Sequence, residues 1–217
     1  MALPMNTFNR PVAYRIMLIG TLLSAVLIFP SCQTSQTAHS SYRSKQVLPS
    51  SGKYQKKKKP RINIAKLEAQ IHTLINRERK RKGLKPLAWN AALSRIARTH
   101  SRDMARRTYF SHYSPESHDF LWRYERAGFS CGIRIGNTIY TGAENILQNN
   151  LFDSVTKVNG VPYHDWNSQK KIAETSVRGW MKSPSHRKNI LIPHWRSEGI
   201  GVVIAPDGKV YITQNFC

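Results

Sequence analysis

The chain has 217 residues, with 34 Lys and Arg against 12 Asp and Glu, a formal charge of +22, and 40% apolar residues. That apolar share supports a packed core and excludes a wholly disordered protein, while three cysteines are too few for a disulfide-built miniprotein. Residues 1–61 hold ten of the basic residues and none of the acidic ones, leaving 24 bases against 12 acids in 62–217; such a surplus favours anionic partners without choosing among nucleic acid, lipid headgroups and acidic polysaccharide.

The first predicted element is a signal. Ile16 to Phe29 reads IMLIGTLLSAVLIF, preceded by Arg10 and Arg15. A basic start followed by a short apolar run has the form of a secretory signal, and the run is shorter than the ~20 residues a spanning helix needs. Phe29-Pro30-Ser31-Cys32 follows and resembles a bacterial lipobox, although Phe29 stands where Leu is usual and Pro30 is atypical. The resemblance implies a signal over 1–31, lipidation at Cys32 and a membrane-anchored lipoprotein of the bacterial envelope, facing periplasm or exterior. The alternative is an uncleaved anchor with Cys32 unmodified. Residues 32–61 are rich in Ser, Gln, Thr and Lys without apolar periodicity, which predicts a flexible basic tether. Its run Lys56–Lys59 suits anionic headgroups or serves as a solvated spacer.

The folded domain is expected over 62–217. Asn63 caps a helix running towards Gly83, with Ile64, Leu67, Ile71, Leu74 and Ile75 on one stripe. Asn90 caps a second, with Leu93, Ile96, Ala97, His100 and Met104 inward; His100 reads as a hydrogen-bonded core histidine rather than a ligand. A third helix is expected over Ser117–Gly128 with Leu121 and Tyr124 inward. Cys131–Asn159 reads as loop with a short strand or two. A fourth helix starts near Asn167 and buries Ile172, Ala173, Ser176, Val177, Trp180 and Met181. Ser183-Pro184 opens a short helix to Leu191, with Ser183 as cap. Gly199–Ala205 and Lys209–Phe216 form a hairpin around Asp207-Gly208. Helices come first and antiparallel strands last, so the class is α+β, without the alternation of a Rossmann sheet.

Five segments then stand in order: Tyr-Phe-Ser-His at 109–112, Gly-Ala-Glu-Asn-Ile at 142–146, Ser-Pro-Ser-His-Arg-Lys-Asn-Ile-Leu at 183–191, Gly-Ile-Gly-Val at 199–202 and Tyr-Ile-Thr-Gln-Asn-Phe at 211–216. Together they resemble the CAP superfamily in its bacterial SCP-like branch, related to cysteine-rich secretory proteins, venom antigens and plant pathogenesis-related proteins. The resemblance implies an α-β-α sandwich with a small antiparallel sheet between helical layers. It also implies a central cleft, placing its two histidines at His112 and His186 and its first acid at Glu144. The second acid of many relatives falls on Ser183, expected at the cleft rim, so the tetrad is incomplete here; Glu174 lies at a different spacing and is not its substitute.

Two imidazoles and a carboxylate suit a divalent metal such as zinc, the alternative being an internal hydrogen-bonded cluster. Ser185 and His186 are adjacent and form no nucleophile–base pair, neither G-x-S-x-G nor H-E-x-x-H occurs, and His118 and His164 read as exposed loop histidines. No catalytic residue is assigned. The resemblance favours a binding or interaction module of the cell envelope, with a lipid, cell-wall or protein ligand. The alternative is a metal-dependent hydrolase acting on peptide or cell-wall material. The basic surplus would allow nucleic acid, but an export signal separates the two and no aromatic–basic module is present. With Cys32 taken by lipid, Cys131 and Cys217 remain to pair in an oxidising compartment.

Overall fold

A computed structural model describes residues 55–217, so the expected signal, the lipidation site Cys32 and the tether up to residue 54 lie outside the described residues. Among the described residues there are five helices: α1 (Ile64–Arg81), α2 (Ala91–Arg107), α3 (Phe120–Arg126), α4 (Gln169–Lys182) and α5 (Pro184–Ile190). Asn63, Asn90, Asp119 and Ser168 each accept a first-turn amide proton through the side chain, which satisfies donors that the helix leaves unpaired.

The strands are β1 (Ala88–Trp89), β2 (Ile133–Ile135), β3 (Thr138–Tyr140), β4 (Ala143–Asn150), β5 (Phe152–Val158), β6 (Val161–Trp166), β7 (Ser197–Ile204) and β8 (Lys209–Phe216). The central sheet has the order β1-β7-β8-β4, and β2–β3 and β5–β6 form separate two-stranded ribbons. The hairpin expected around Asp207-Gly208 is present, with Ile204 opposite Val210. The expectation for 131–159 fails: this stretch supplies the four strands β2 to β5, including sheet strand β4. The sheet is also not purely antiparallel, because the short β1 runs parallel to β7.

Alternation along the strands assigns the two faces. Gly199, Gly201, Thr213, Asn215, Glu144 and Ile146 share one face through their register. There α2 rests directly on β7: a Cβ at Gly199 or Gly201 would overlap the helix backbone at Leu93–Ser94 or Ala97–Arg98. Ser101 Oγ donates to the Gly201 carbonyl at 2.9 Å. On the opposite face Leu67, Ile71 and Ile75 of α1 and Ile172 and Trp180 of α4 join Ile200 and Ile212 in the main core. The expected stripes of α1, α2 and α4 therefore face the core, with Ile64, Leu74 and Met181 only partly buried at their margins.

Strand β4 has β8 on one side and no strand on the other. Its outward carbonyls are satisfied by side chains: Trp180 Nε1 donates to Ile146 O at 3.1 Å and Asn189 Nδ2 to Glu144 O at 3.3 Å. This protects the sheet edge.

Candidate functional site

Glu144 projects from β4 towards the α2 side and is 5% exposed. A carboxylate that dry needs a compensating charge, and α3 supplies it. Arg123 Nη2 lies 2.9 Å from Glu144 Oε1 and 2.8 Å from Oε2. The same guanidinium donates to the carbonyls of His118 at 3.1 Å and His112 at 3.0 Å, so it also braces the loop that carries His112. His112 Nδ1 donates to Glu144 Oε1 at 2.9 Å. The carboxylate only accepts, so in the neutral ring the proton sits on Nδ1 and the Nε2 lone pair is left, making no bond within the described protein. His112 is 42% exposed on its side chain.

His186 arrives from the other layer, in the first turn of α5. Arg79, fully buried, fixes the far end of that helix by donating to Ile190 O at 2.6 Å and Ile192 O at 2.9 Å. Asn145 Nδ2 holds the His186 carbonyl at 3.2 Å. The two imidazoles therefore converge beside the open edge of β4, their ring centres 6.5 Å apart and their planes tilted by 44°. Burial, and then the charge that nearby His112 carries when it is protonated, push the His186 imidazole below its ordinary pKa, which favours the neutral ring. Ser183 lies at the α4–α5 junction and forms no side-chain cap; its hydroxyl meets Ser185 Oγ at 3.3 Å.

The donors do not fit a zinc shell built from His112, Glu144 and His186. Both Glu144 oxygens face the Arg123 guanidinium and one also takes the His112 proton. Among the described residues, no group of three or more His, Cys, Asp or Glu side chains is arranged to hold a metal ion. The two histidine rings alone remain for a cation. The hydrogen-bonded alternative describes the Glu144 half of the cluster.

Sequence reasoning missed Arg123. Its helix begins at Phe120 rather than Ser117; Tyr124 is inward as expected and Arg123 is buried beside it, while Leu121 is 41% exposed, against expectation. The usable signal was a glutamate in an apolar segment, which requires a cation somewhere in the fold. His100 is the buried histidine expected, donating from Nε2 to Ser111 O at 3.0 Å, but it also approaches Glu144 Oε1 to 3.9 Å and so forms the floor of the site. His118 and His164 are not free loop residues: each stacks on a tryptophan, His118 on Trp122 at 3.8 Å and His164 on Trp166 at 4.5 Å. Cys131 and Cys217 form a disulfide with α-carbons 5.6 Å apart, tying the last strand to the loop that leads to Glu144.

A second polar row, unforeseen, crosses the opposite sheet face. His72 Nδ1 meets Glu198 Oε1 at 2.6 Å, Gln214 Nε2 donates to Glu198 Oε2 at 2.5 Å, and Asn145 Nδ2 donates to Gln214 Oε1 at 3.0 Å. Glu198, Gln214 and Asn145 are fully buried. The row ends on Asn145, the residue that holds the His186 carbonyl, so it steadies the His186 side of the site.

The arrangement matches a known family. The model of the cysteine-rich secretory protein (CAP) family matches residues 72–216, and the chain belongs to that family. It is 31% identical over 154 residues to the uncharacterized protein YkwD of Bacillus subtilis, covering 71% of this chain and 48% of that protein. It is also 31% identical over 150 residues to the uncharacterized membrane protein YlbC of the same organism, covering 69% and 34%. The chain thus spans half or less of these relatives. Among solved structures it is similar to an extracellular SCP-domain protein of Bacillus anthracis, at 27% identity and TM-score 0.51, covering 70% of this chain and 40% of that one. An outer surface protein of Borrelia burgdorferi shares the fold at 13% identity and TM-score 0.53, covering 73% and 97%.

Proposed function

We propose that this chain is an exported binding module of the bacterial cell envelope, anchored through lipid at Cys32, that takes a lipid, cell-wall or protein ligand at the His112–His186 cleft. The observation that carries this reading is the locking of Glu144 by Arg123. A general base must be free to reach a substrate proton, and this carboxylate is buried and already committed to two donors. What the cleft would offer is polar recognition by the open Nε2 of neutral His112 and the neutral ring of His186, with the exposed rings of Phe110 and Tyr113 beside His112 in sequence. The extracellular setting of the similar B. anthracis protein and the apolar N-terminal run followed by Cys32 support the compartment.

The hydrolase reading would require a cation held by His112 and His186 without Glu144, and it loses the residue that would have served as base. Mass spectrometry of the mature protein from its own membranes tests the proposal. The expected product begins at lipid-modified Cys32. Under native conditions it retains a ligand that His112→Ala and His186→Ala lose while staying folded. An unmodified, uncleaved chain contradicts the anchor, and equal ligand retention in both variants contradicts the cleft.

A further inference from the structure

We propose that the surface on either side of Trp122 is a second binding groove, which takes an anionic glycan strand. Trp122 is 40% exposed and held rigid by its stack on His118, with ring centres 3.8 Å apart and planes 4° from parallel. It lines two adjoining cavities, of about 270 Å³ and about 400 Å³. Arg95 and Arg126 line the first, Arg102 and Arg106 the second. Arg95, Arg102 and Arg106 follow one face of α2 at helical spacing, a stripe about 16 Å long at 1.5 Å per residue.

The charge is available. Arg95, Arg102 and Arg126 are exposed and their guanidinium groups form no hydrogen bond or ion pair among the described residues, and Arg106 faces Asp103 at 3.6 Å. The two acids lining the groove are already engaged. Glu116 takes two hydrogen bonds from Arg107, which hold its carboxyl down to about 2. Asp103 accepts from the Tyr109 hydroxyl at 2.7 Å and faces Arg107 at 3.6 Å. Three uncommitted guanidinium forks around one fixed indole match a chain of sugar rings carrying carboxylates or phosphates. The forks bind the acidic groups in pairs of hydrogen bonds, and the indole packs against the apolar face of a ring.

The groove favours a glycan over the other polyanions. Single-stranded nucleic acid sites stack successive bases on several aromatic platforms, whereas this stripe has one. A lipid surface would engage a convex apolar face, whereas Trp122 stands between two concavities. The choice of glycan over nucleic acid also rests on the envelope-facing reading above; the existence of the groove does not.

The test is calorimetric titration of the full chain, in mild detergent, with a hexameric polygalacturonate. Its controls are neutral maltohexaose, a six-nucleotide single-stranded DNA and vesicles of anionic phospholipid. Polygalacturonate is expected to bind at least about tenfold tighter than each soluble control, and its affinity to fall with salt. Trp122→Ala is expected to weaken it about tenfold, the scale of one lost stacking platform, and Arg95→Gln/Arg102→Gln/Arg126→Gln by more. These four residues are at the surface, so the variants keep the fold, and His112→Ala should bind polygalacturonate as the parent does. The groove is overturned if polygalacturonate does not bind, or if Trp122→Ala and the triple variant both bind like the parent. DNA or vesicles binding more tightly than polygalacturonate, with the same losses in the variants, keeps the groove, overturns its glycan ligand and counts against the envelope reading.

Discussion

Arg123 and Glu144, 21 residues apart in sequence, form a buried pair in which one guanidinium nitrogen reaches both carboxylate oxygens, at 2.9 and 2.8 Å. The pair decides what the site can do, because it neutralises the one acid of the family pattern that this chain keeps there. Removing one partner of such a pair leaves an uncompensated charge, at a cost of about 3–5 kcal/mol. Arg123→Met is expected to lose stability on that scale in urea unfolding, and Arg123→Met/Glu144→Gln to lose clearly less. Equal losses in the single and double variants would mean that the two residues are not coupled.

The acid side of the stability profile follows from the histidines. Burial pushes His100 below its ordinary value, partly opposed by the Glu144 charge, and burial followed by the His112 charge does the same to His186. A histidine with a depressed folded value is equally neutral in both states above about pH 6.5, the unfolded value. Below that, the unfolded chain takes up protons first, so stability falls as the pH drops, until the folded values are passed. Denaturant unfolding from pH 8 to 5 should show this loss beginning near pH 6.5. His100→Gln, which keeps a donor for Ser111 O, should show a shallower loss. A profile that is flat or rises towards pH 5 contradicts the assignment.

The disulfide closes a loop of 86 residues between Cys131 and Cys217, for which chain-entropy arguments give about 4–5 kcal/mol. The Cys217 carbonyl also accepts from the amides of Arg196 and Ser197, at 2.8 and 2.7 Å, so the C-terminus stays registered beside β7 while the bridge is intact. Cys131→Ser/Cys217→Ser is expected to melt well below the parent. Adding reductant should lower the parent's melting temperature and leave the variant unchanged. Insensitivity of the parent to reductant would count against the bridge.

Close packing of α2 on the sheet depends on two glycines. A methyl group at Gly199 or Gly201 would meet helix backbone rather than a movable side chain, so relief requires shifting α2 and with it His100. Gly201→Ala is expected to cost about 1–3 kcal/mol or more and to perturb the His100 ring resonances. An unfolding midpoint within error of the parent would show that the helix does not sit as close as described.

The residues that were legible in the sequence and those that were not differ in what satisfies them. The α2 stripe Leu93, Ile96, Ala97, His100 and Met104 repeats at helical spacing because it is buried by packing, and packing leaves a periodic trace. Strand β4 reads AENILQNN and leaves none. Its buried Asn145 and Glu144 are held by hydrogen bonds to Gln214 and Arg123, so polar residues point to both faces and the alternation disappears. The family motifs located His112, Glu144 and His186 and brought the two histidines to one edge. They were silent on Arg123, whose short helix has too few residues to show a period. The paired cysteines were legible from compartment and count; the polar row from His72 to Asn145 was not, since its members are scattered over four elements.

The central claim is that Glu144 is the counter-ion of Arg123 and not a metal ligand. Calorimetric titration of zinc into the metal-free full chain and into Glu144→Gln at pH 7.5 tests it most directly. Because Glu144 accepts the Nδ1 proton of His112, Glu144→Gln is expected to weaken any zinc binding by no more than the ~10–100-fold that an indirect supporting residue costs a metal site. His112→Ala and His186→Ala should abolish whatever binding the parent shows. A loss well beyond about 100-fold in folded Glu144→Gln, with the bound zinc stoichiometric in the parent, would put the carboxylate on the metal and contradict its role as the Arg123 counter-ion.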